Sequence, residues 1–276
     1  MQAENIISLI TILSDKLYKS VEGQIYDILD KIILIGPELL NTEPLNKIFF
    51  ENECNFVILI ANALVIFYAT YYALNRIISM YNGSSVESVH KFIIKLVLII
   101  ILVNSSYYIC EEILKFNEIL NNVIDEALEE ILDKKVNFKN LKEEVVALDQ
   151  YVKTDALSLE GIIKSLLSIF SISLLITFSI RYVTIVLLII LFPFAIICFT
   201  SNVTRGITKS FGKLFFVNII MQLFIKLIIA IPMLYSDKNS IMYKVILLGS
   251  LYLVYRISTF IKELLSQICI PDIKDR

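Results

Sequence analysis

The stretch from Ile162 to Thr200 constrains this chain more than any other part of its sequence. It is almost continuously apolar, with Arg181 and Tyr182 near its middle. A single helix over this stretch would be about 58 Å long, nearly twice the ~30 Å thickness of a bilayer's hydrocarbon core. A soluble domain has no place for a segment of that length and composition, so the stretch predicts a protein that spans a membrane.

The composition of the whole chain agrees with that prediction. Of its 276 residues, 57% are hydrophobic and 19% are charged, whereas a soluble domain is about 45–50% apolar and about 25% charged. The chain has four scattered cysteines and one histidine, His90, and it lacks the HExxH, GxSxG and P-loop patterns. We therefore predict an all-α, polytopic integral membrane protein that is not an enzyme, with no catalytic residues, no metal and no cofactor.

Five apolar stretches are long enough to be transmembrane helices. They are Phe56–Leu74, Phe92–Ile109, Ile162–Thr200, Leu214–Tyr235 and Val245–Ile261. The third stretch crosses once or forms a hairpin at Arg181. If it crosses once, its excess length is explained by a strong tilt, by an extension outside the membrane, or by a helix break at Pro193.

The remaining sequence divides around these spans. Apolar residues at helical spacing from Ile6 to Ile32 predict an amphipathic helix that lies on the membrane or packs on a partner. A heptad-like stripe from Ile113 to Ala127 also needs a partner, either within the chain or in a second copy. The predicted organisation has five parts. Residues 1–54 are an amphipathic N-terminal segment, 55–110 a first transmembrane pair, 111–160 an acidic and largely helical loop, 161–261 a transmembrane core and 262–276 a tail.

The lysines and arginines predict the orientation, because cytoplasmic loops are enriched in both. Arg205, Lys209 and Lys213 follow the third span at intervals of four and form a basic helical face. This face suits anionic lipid or a passing polyanion. Two other basic segments are the loop with Arg76 and Lys91 and the tail from Arg256. All three lie inside only if the region 162–200 makes an odd number of crossings, so we predict five crossings, an outer N-terminus, an outer loop over 111–160 and a cytoplasmic C-terminus.

Asn218, Gln222 and Lys226 form a polar stripe in the fourth predicted span. Their spacing of four places them on one helical face. A lysine near mid-span costs at least about 2.5–3.5 kcal/mol on insertion scales and implies a compensating partner. The stripe either faces a conduit or a subunit interface, or hydrogen-bonds to a neighbouring helix. If the stretch 162–200 crosses the membrane once, Arg181 also needs hydrogen-bond acceptors. Backbone carbonyls, tyrosine hydroxyls, lipid phosphate or another subunit can supply them.

The region 162–235 resembles the TrbL-type, VirB-class inner-membrane subunit of type IV secretion and conjugation machines. The resemblance rests on the apolar run with Arg181-Tyr182, on VTIVLLIILFPFAI around Pro193, on the basic turn TRGITKSFGK and on the polar span that follows. It implies a non-enzymatic channel or scaffold component of the cytoplasmic membrane that assembles with other subunits and contacts a DNA or protein substrate. The unpartnered helical faces suggest a homo-oligomer.

Two other classes of membrane protein remain open. The membrane subunit of an ABC-type exporter has a similar length and about six crossings. If the chain were a stand-alone secondary transporter, we would expect inverted repeats and ion ligands near the middle of the membrane. The sequence shows no clear internal repeat and no Asp or Glu in the predicted spans, which disfavours proton coupling.

Overall fold

The computed structural model describes residues 25–26, 28–49, 55–83, 88–141, 159–199, 204–235 and 240–268. Within these ranges the chain is all-α and contains no strand. Residues 28–33 are helical and lead through the 3-10 turn Pro37–Asn41 into seven α-helices. These are α1 (Glu43–Phe49), α2 (Phe56–Asn82), α3 (Val89–Asn104), α4 (Ser106–Leu132), α5 (Leu159–Cys198), α6 (Arg205–Met233) and α7 (Ile241–Ile268).

Four of the described helices are individually long and apolar enough to cross a membrane. The spans are Phe56–Asn82, Ser165–Cys198, Arg205–Met233 and Ile241–Ile261. A fifth span is possible when α3 and α4 are taken together as one segment bent by 61°. The chain is thus an all-α, multi-pass membrane protein in its architecture.

The long apolar stretch forms one helix, so the hairpin alternative is wrong. α5 has 40 residues and runs without interruption through Arg181. It also continues past Pro193 to Cys198, which corrects the expectation of a helix break at that proline. A proline removes one intrahelical hydrogen bond, but no water competes for the remaining ones in hydrocarbon, so a transmembrane helix tolerates it.

The second predicted span is divided at Ser105. α3 ends at Asn104 and α4 begins at Ser106. The Asn104 side chain donates a 2.8 Å hydrogen bond to the Ile100 carbonyl, one turn back. Short polar side chains that bond to nearby backbone groups compete with continued helix. That local competition is the physical reason for a bend where the hydropathy pattern alone indicates one helix.

The chain forms two compact units. The first consists of described residues within 1–35, 117–183 and 217–276, and the second of those within 36–116 and 184–216. The first unit has the larger apolar core. Its fully buried side chains include Leu29, Leu141, Leu174, Phe178, Ile225, Tyr243, Leu247, Leu251, Val254 and Ile257.

The N-terminal segment packs into the core of the first unit. Tyr26, Leu29 and Ile33 of this segment are buried in that core. We expected this helix to have no packing partner within the chain, and that expectation is wrong for its described part. Residues 1–24 lie outside the described residues. The helix ends at Ile33, one residue after the last apolar position of the predicted pattern, because Gly36 and Pro37 disfavour helical backbone.

The predicted stripe on α4 is covered only in part. Phe116 and Val123 are largely exposed, whereas Ile113 and Leu120 of the same stripe are half-buried. Another face of the helix buries Asn117 and Asn121 together with the apolar side chain of Leu114. The inward face of α4 is therefore partly polar and partly apolar.

The second unit is built around α2 and α3. Ala61 and Val65 of α2 pack against Ile99 and Val103 of α3. The rings of Tyr72 and Phe92 stack with centroids 3.6 Å apart. Where α2 ends, Gly83 adopts a left-handed backbone with φ of 66°, and its N–H donates to the Ser79 carbonyl.

Gly83→Ala is expected to lower the free energy of unfolding by about 1 kcal/mol, because an L side chain disfavours the left-handed backbone that closes α2. The space around the new Cβ is open, so backbone strain alone causes the loss. Denaturant unfolding in detergent measures it. Gly212→Ala is the control, since Gly212 lies within a helix and also has open space. An unchanged or raised stability in Gly83→Ala would contradict the expectation.

Candidate functional site

A polar cluster lies in the core of the first unit, between α4, α5 and α6. It contains the three residues of the predicted stripe, which are all at most 6% exposed. Four further residues complete it, so that the polar cluster consists of Asn117, Asn121, Asp125, Arg181, Asn218, Gln222 and Lys226. Every member except Asp125 is buried.

Two polar stripes face each other in this cluster. α6 carries its three residues at intervals of four, and α4 carries Asn117, Asn121 and Asp125 at the same intervals. Each set therefore lies on one face of its helix. Asn117 contacts Gln222, and Asp125 contacts Lys226, so the two stripes run in the same chain direction.

Lys226 forms an ion pair with Asp125. Its ammonium lies 2.5 Å from one carboxylate oxygen, Oδ2. The Lys226 side chain is 7% exposed, whereas that of Asp125 is 37% exposed. The other oxygen, Oδ1, is buried and has no hydrogen-bond partner among the described residues. The lysine charge is therefore compensated by an acid from outside the five predicted spans.

Gln222 connects the N-terminal segment to both stripes. Its Oε1 accepts the Ile35 N–H at 3.2 Å and the Asn117 Nδ2 at 3.4 Å. Asn117 Nδ2 also approaches the Ile35 carbonyl at 3.4 Å. Because the helix ends at Ile33, the Ile35 backbone cannot be satisfied by a regular helical turn. The two side chains satisfy it instead.

Arg181 is buried and donates three hydrogen bonds to backbone carbonyls. Its Nε and Nη2 donate to the Asn218 carbonyl at 2.9 Å and 2.8 Å, and its Nη1 donates to the Ile33 carbonyl at 3.3 Å. Backbone carbonyls were one of the acceptors considered from the sequence. The guanidinium holds the middle of α5 against α6 and against the end of the N-terminal helix.

A cavity of about 150 Å³ adjoins the ion pair. Four charged residues, Asp30, Asp125, Lys135 and Lys226, line it among apolar side chains. The Asp30 carboxylate accepts the backbone N–H groups of Phe138 and Lys139 at 2.8 Å and 3.0 Å. That capping fixes the short helical turn at residues 138–141 over the cavity.

The remaining predicted features lie elsewhere. Arg205 and Lys209 are exposed at the start of α6, Lys213 is half-buried, and the Arg205 guanidinium lies 5.2 Å from the Phe199 ring centroid. Of the four cysteines, Cys54 and Cys110 both fall at the outer face in the predicted topology, where a disulfide between them is conceivable; Cys110 is buried with a free thiol, and Cys54 lies outside the described residues. No group of three or more potential metal ligands occurs in the part of the chain that the structure describes.

The sequence did not predict three residues of the polar cluster, Asn117, Asn121 and Asp125, or Asp30 at the adjoining cavity. A signal for the first three was present, because they repeat the spacing of the α6 stripe. Comparisons with protein-family models, curated proteins and solved structures each found no match to this chain.

Proposed function

We propose that this chain is a non-enzymatic scaffold or channel subunit of a type IV secretion or conjugation machine. It resides in the cytoplasmic membrane with its N-terminus outside and its C-terminus in the cytoplasm. It assembles with other subunits and with further copies of itself, and the complex passes a DNA or protein substrate. The sequence resemblance over 162–235 and the multi-pass helical architecture support this proposal.

The observation that carries the scaffold role is the set of internal partners of the polar stripe. Gln222 bonds to the Ile35 backbone and Asn117, and Lys226 pairs with Asp125. Side chains that line a conduit for polyanions need their polar atoms free to exchange partners with the substrate. Those of Gln222 and Lys226 are instead directed to other parts of the same unit, which favours a role in joining helices.

The test has two steps, a gene deletion and a double substitution. In the organism that encodes the chain, deletion of its gene is expected to abolish conjugative transfer or secretion without stopping growth, and the wild-type gene is expected to restore it. Unchanged transfer would contradict the proposal. Loss of a small-molecule efflux activity with normal transfer would favour the exporter.

The second step, which uses a double variant, distinguishes a scaffold role from a conduit role. In the double variant Asp125→Leu/Lys226→Leu, both charges are removed and an apolar contact replaces the ion pair. A scaffold is expected to retain transfer within about threefold of wild type, because an ion pair and an apolar pair of similar size stabilise a fold about equally. Transfer that falls to the level of the deletion strain, with normal amounts of the protein in the membrane, would show that the charges act on the substrate.

A further inference from the structure

The cavity beside the ion pair is lined by two charged residues whose hydrogen-bonding capacity is only partly used. Lys226 has three N–H donors, and its one acceptor among the described residues is Asp125 Oδ2. Asp125 Oδ1 is buried and has no donor in that part of the chain. Both residues line the cavity. We propose that this cavity is a binding site for water, and that the bound water accepts hydrogen bonds from the Lys226 ammonium and donates to the Asp125 carboxylate.

The two unsatisfied groups favour water over an ion. A bare anion would accept from the Lys226 ammonium but would be repelled by the Asp125 carboxylate beside it. A bare cation would bind the carboxylate and would be repelled by the ammonium. Water donates and accepts, so it can bind to both groups at once. The other charged lining residues, Asp30 and Lys135, are also of opposite sign, so the cavity has no excess charge that would attract an ion.

The cavity has room for water and reaches the surface of the first unit. Its volume of about 150 Å³ is several times the ~30 Å³ that one molecule occupies in liquid water. Two of its lining residues, Leu34 and Lys135, are exposed, so water has a way in. Cavities that stay dry are apolar, whereas this one contains an ammonium whose side chain is 7% exposed. Water that enters is therefore held by groups that otherwise lack partners.

A second buried oxygen without a donor lies one turn earlier on α4. Asn121 is 2% exposed, and its Oδ1 has no hydrogen-bond partner among the described residues. Its Nδ2 donates to the Asn117 carbonyl at 2.8 Å, which fixes the orientation of the amide. Asn121 and Asp125 are neighbours on one helical face because they are four residues apart. A water molecule between them can donate one hydrogen to each oxygen, so the polar cluster needs the same ligand at two adjacent positions.

The bound water and the ion pair act differently on Lys226. Water satisfies N–H donors that the carboxylate leaves free, but it has no net charge. The ammonium still needs Asp125 to offset the cost of burying its charge. The water site is thus compatible with the proposed scaffold role and does not depend on it.

Radiolytic hydroxyl-radical labelling of the full-length protein in detergent micelles tests the proposal. X-rays generate these radicals from water, including water bound inside a protein, and the radicals modify the side chains next to it. Phe138 and Phe178 are a matched pair, because both are at most 2% exposed and only Phe138 lines the cavity. Ile225 and Ile257 are a second pair, both 0% exposed, of which only Ile225 lines it. We expect the lining member of each pair to be labelled about tenfold faster than the other.

The double variant Asp125→Leu/Lys226→Leu removes both groups that bind the water. Labelling of the two lining residues is expected to fall to the rate of their counterparts outside the cavity. Unchanged slow labelling of those counterparts shows that the core of the variant remains folded.

Three results would overturn the proposal. Equally slow labelling within each pair of the wild-type protein would show that the cavity is dry. Labelling of the lining residues that stays fast in the double variant would show that the ion pair does not bind the water. Leu141 is buried in the same helical turn as Phe138 and does not line the cavity. Equally fast labelling at Leu141 would show that this turn opens, and that radicals reach Phe138 from outside.

Discussion

Asp125→Leu is expected to lower the free energy of unfolding by about 3–5 kcal/mol, the range found when one partner of a buried ion pair is removed. The reason is the position of the lysine and not the strength of the pair. With the acid gone, the Lys226 ammonium stays in a site where its side chain is only 7% exposed. The ammonium then stays poorly solvated, the side chain moves toward water, or the group loses its proton, and each of these costs free energy.

Replacing the other partner of the ion pair is expected to lower the free energy of unfolding by less. Lys226→Leu leaves the Asp125 carboxylate unpaired, but 37% of that side chain is exposed and can be hydrated. We expect a loss of about 1 kcal/mol, at the upper end of the range for surface ion pairs. The double variant is expected to return to within about 1 kcal/mol of wild type, because neither charge is then left without its partner.

Urea unfolding in detergent micelles, followed by far-ultraviolet circular dichroism, measures all three variants. Glu126→Leu is the control, since Glu126 is an exposed acid of the same helix, and its effect is expected to lie within about 0.5 kcal/mol. Equal losses for Asp125→Leu and Lys226→Leu would contradict the asymmetry. A double variant as unstable as the sum of the singles would show that the two side chains act independently.

The α6 half of this site could be predicted from the sequence, because a polar residue every fourth position in a hydrophobic span defines one helical face. The α4 half could not be predicted by the same argument. α4 carries two stripes, one apolar through Phe116 and Val123 and one polar through Asn117 and Asn121, and both have helical periodicity. Periodicity shows that a helix has two faces but does not show which one is buried. The surroundings decide that, and they differ between water and lipid.

The same limit applies to the course of the backbone. Hydropathy predicted the apolar spans, and α5 is indeed one long helix. It did not predict the break at Ser105, where the Asn104 side chain bonds to the backbone, or the continuation through Pro193, where hydrocarbon surroundings make the loss of one backbone hydrogen bond tolerable. The partners of Arg181 are also beyond sequence reasoning, since a backbone carbonyl can be supplied by any residue and leaves no signal in side-chain identity.

Arg181→Lys is expected to be more destabilising than Arg181→Met, although lysine retains the charge. The guanidinium donates to two carbonyls in different segments, Asn218 and Ile33, with its fixed fork of N–H groups. A lysine ammonium in the same buried place cannot reproduce that fork, so it retains the cost of burying a charge and loses hydrogen bonds that stabilise it. We expect a loss of about 3 kcal/mol, since hydrogen bonds to a charged group contribute about 1.5–3 kcal/mol each.

Arg181→Met removes the charge together with its hydrogen bonds. It leaves the Ile33 carbonyl without the guanidinium, which costs about 1–3 kcal/mol, but it also removes the penalty of burying a cation, so the net loss is expected to be about half that of the lysine variant. Urea unfolding of both proteins in micelles gives the order. Arg205→Lys is the matched control, because Arg205 is exposed at the start of α6, and no change in stability is expected there. If Arg181→Lys matched wild type while Arg181→Met unfolded, the charge itself, and not the geometry of its donors, would hold α5 against α6.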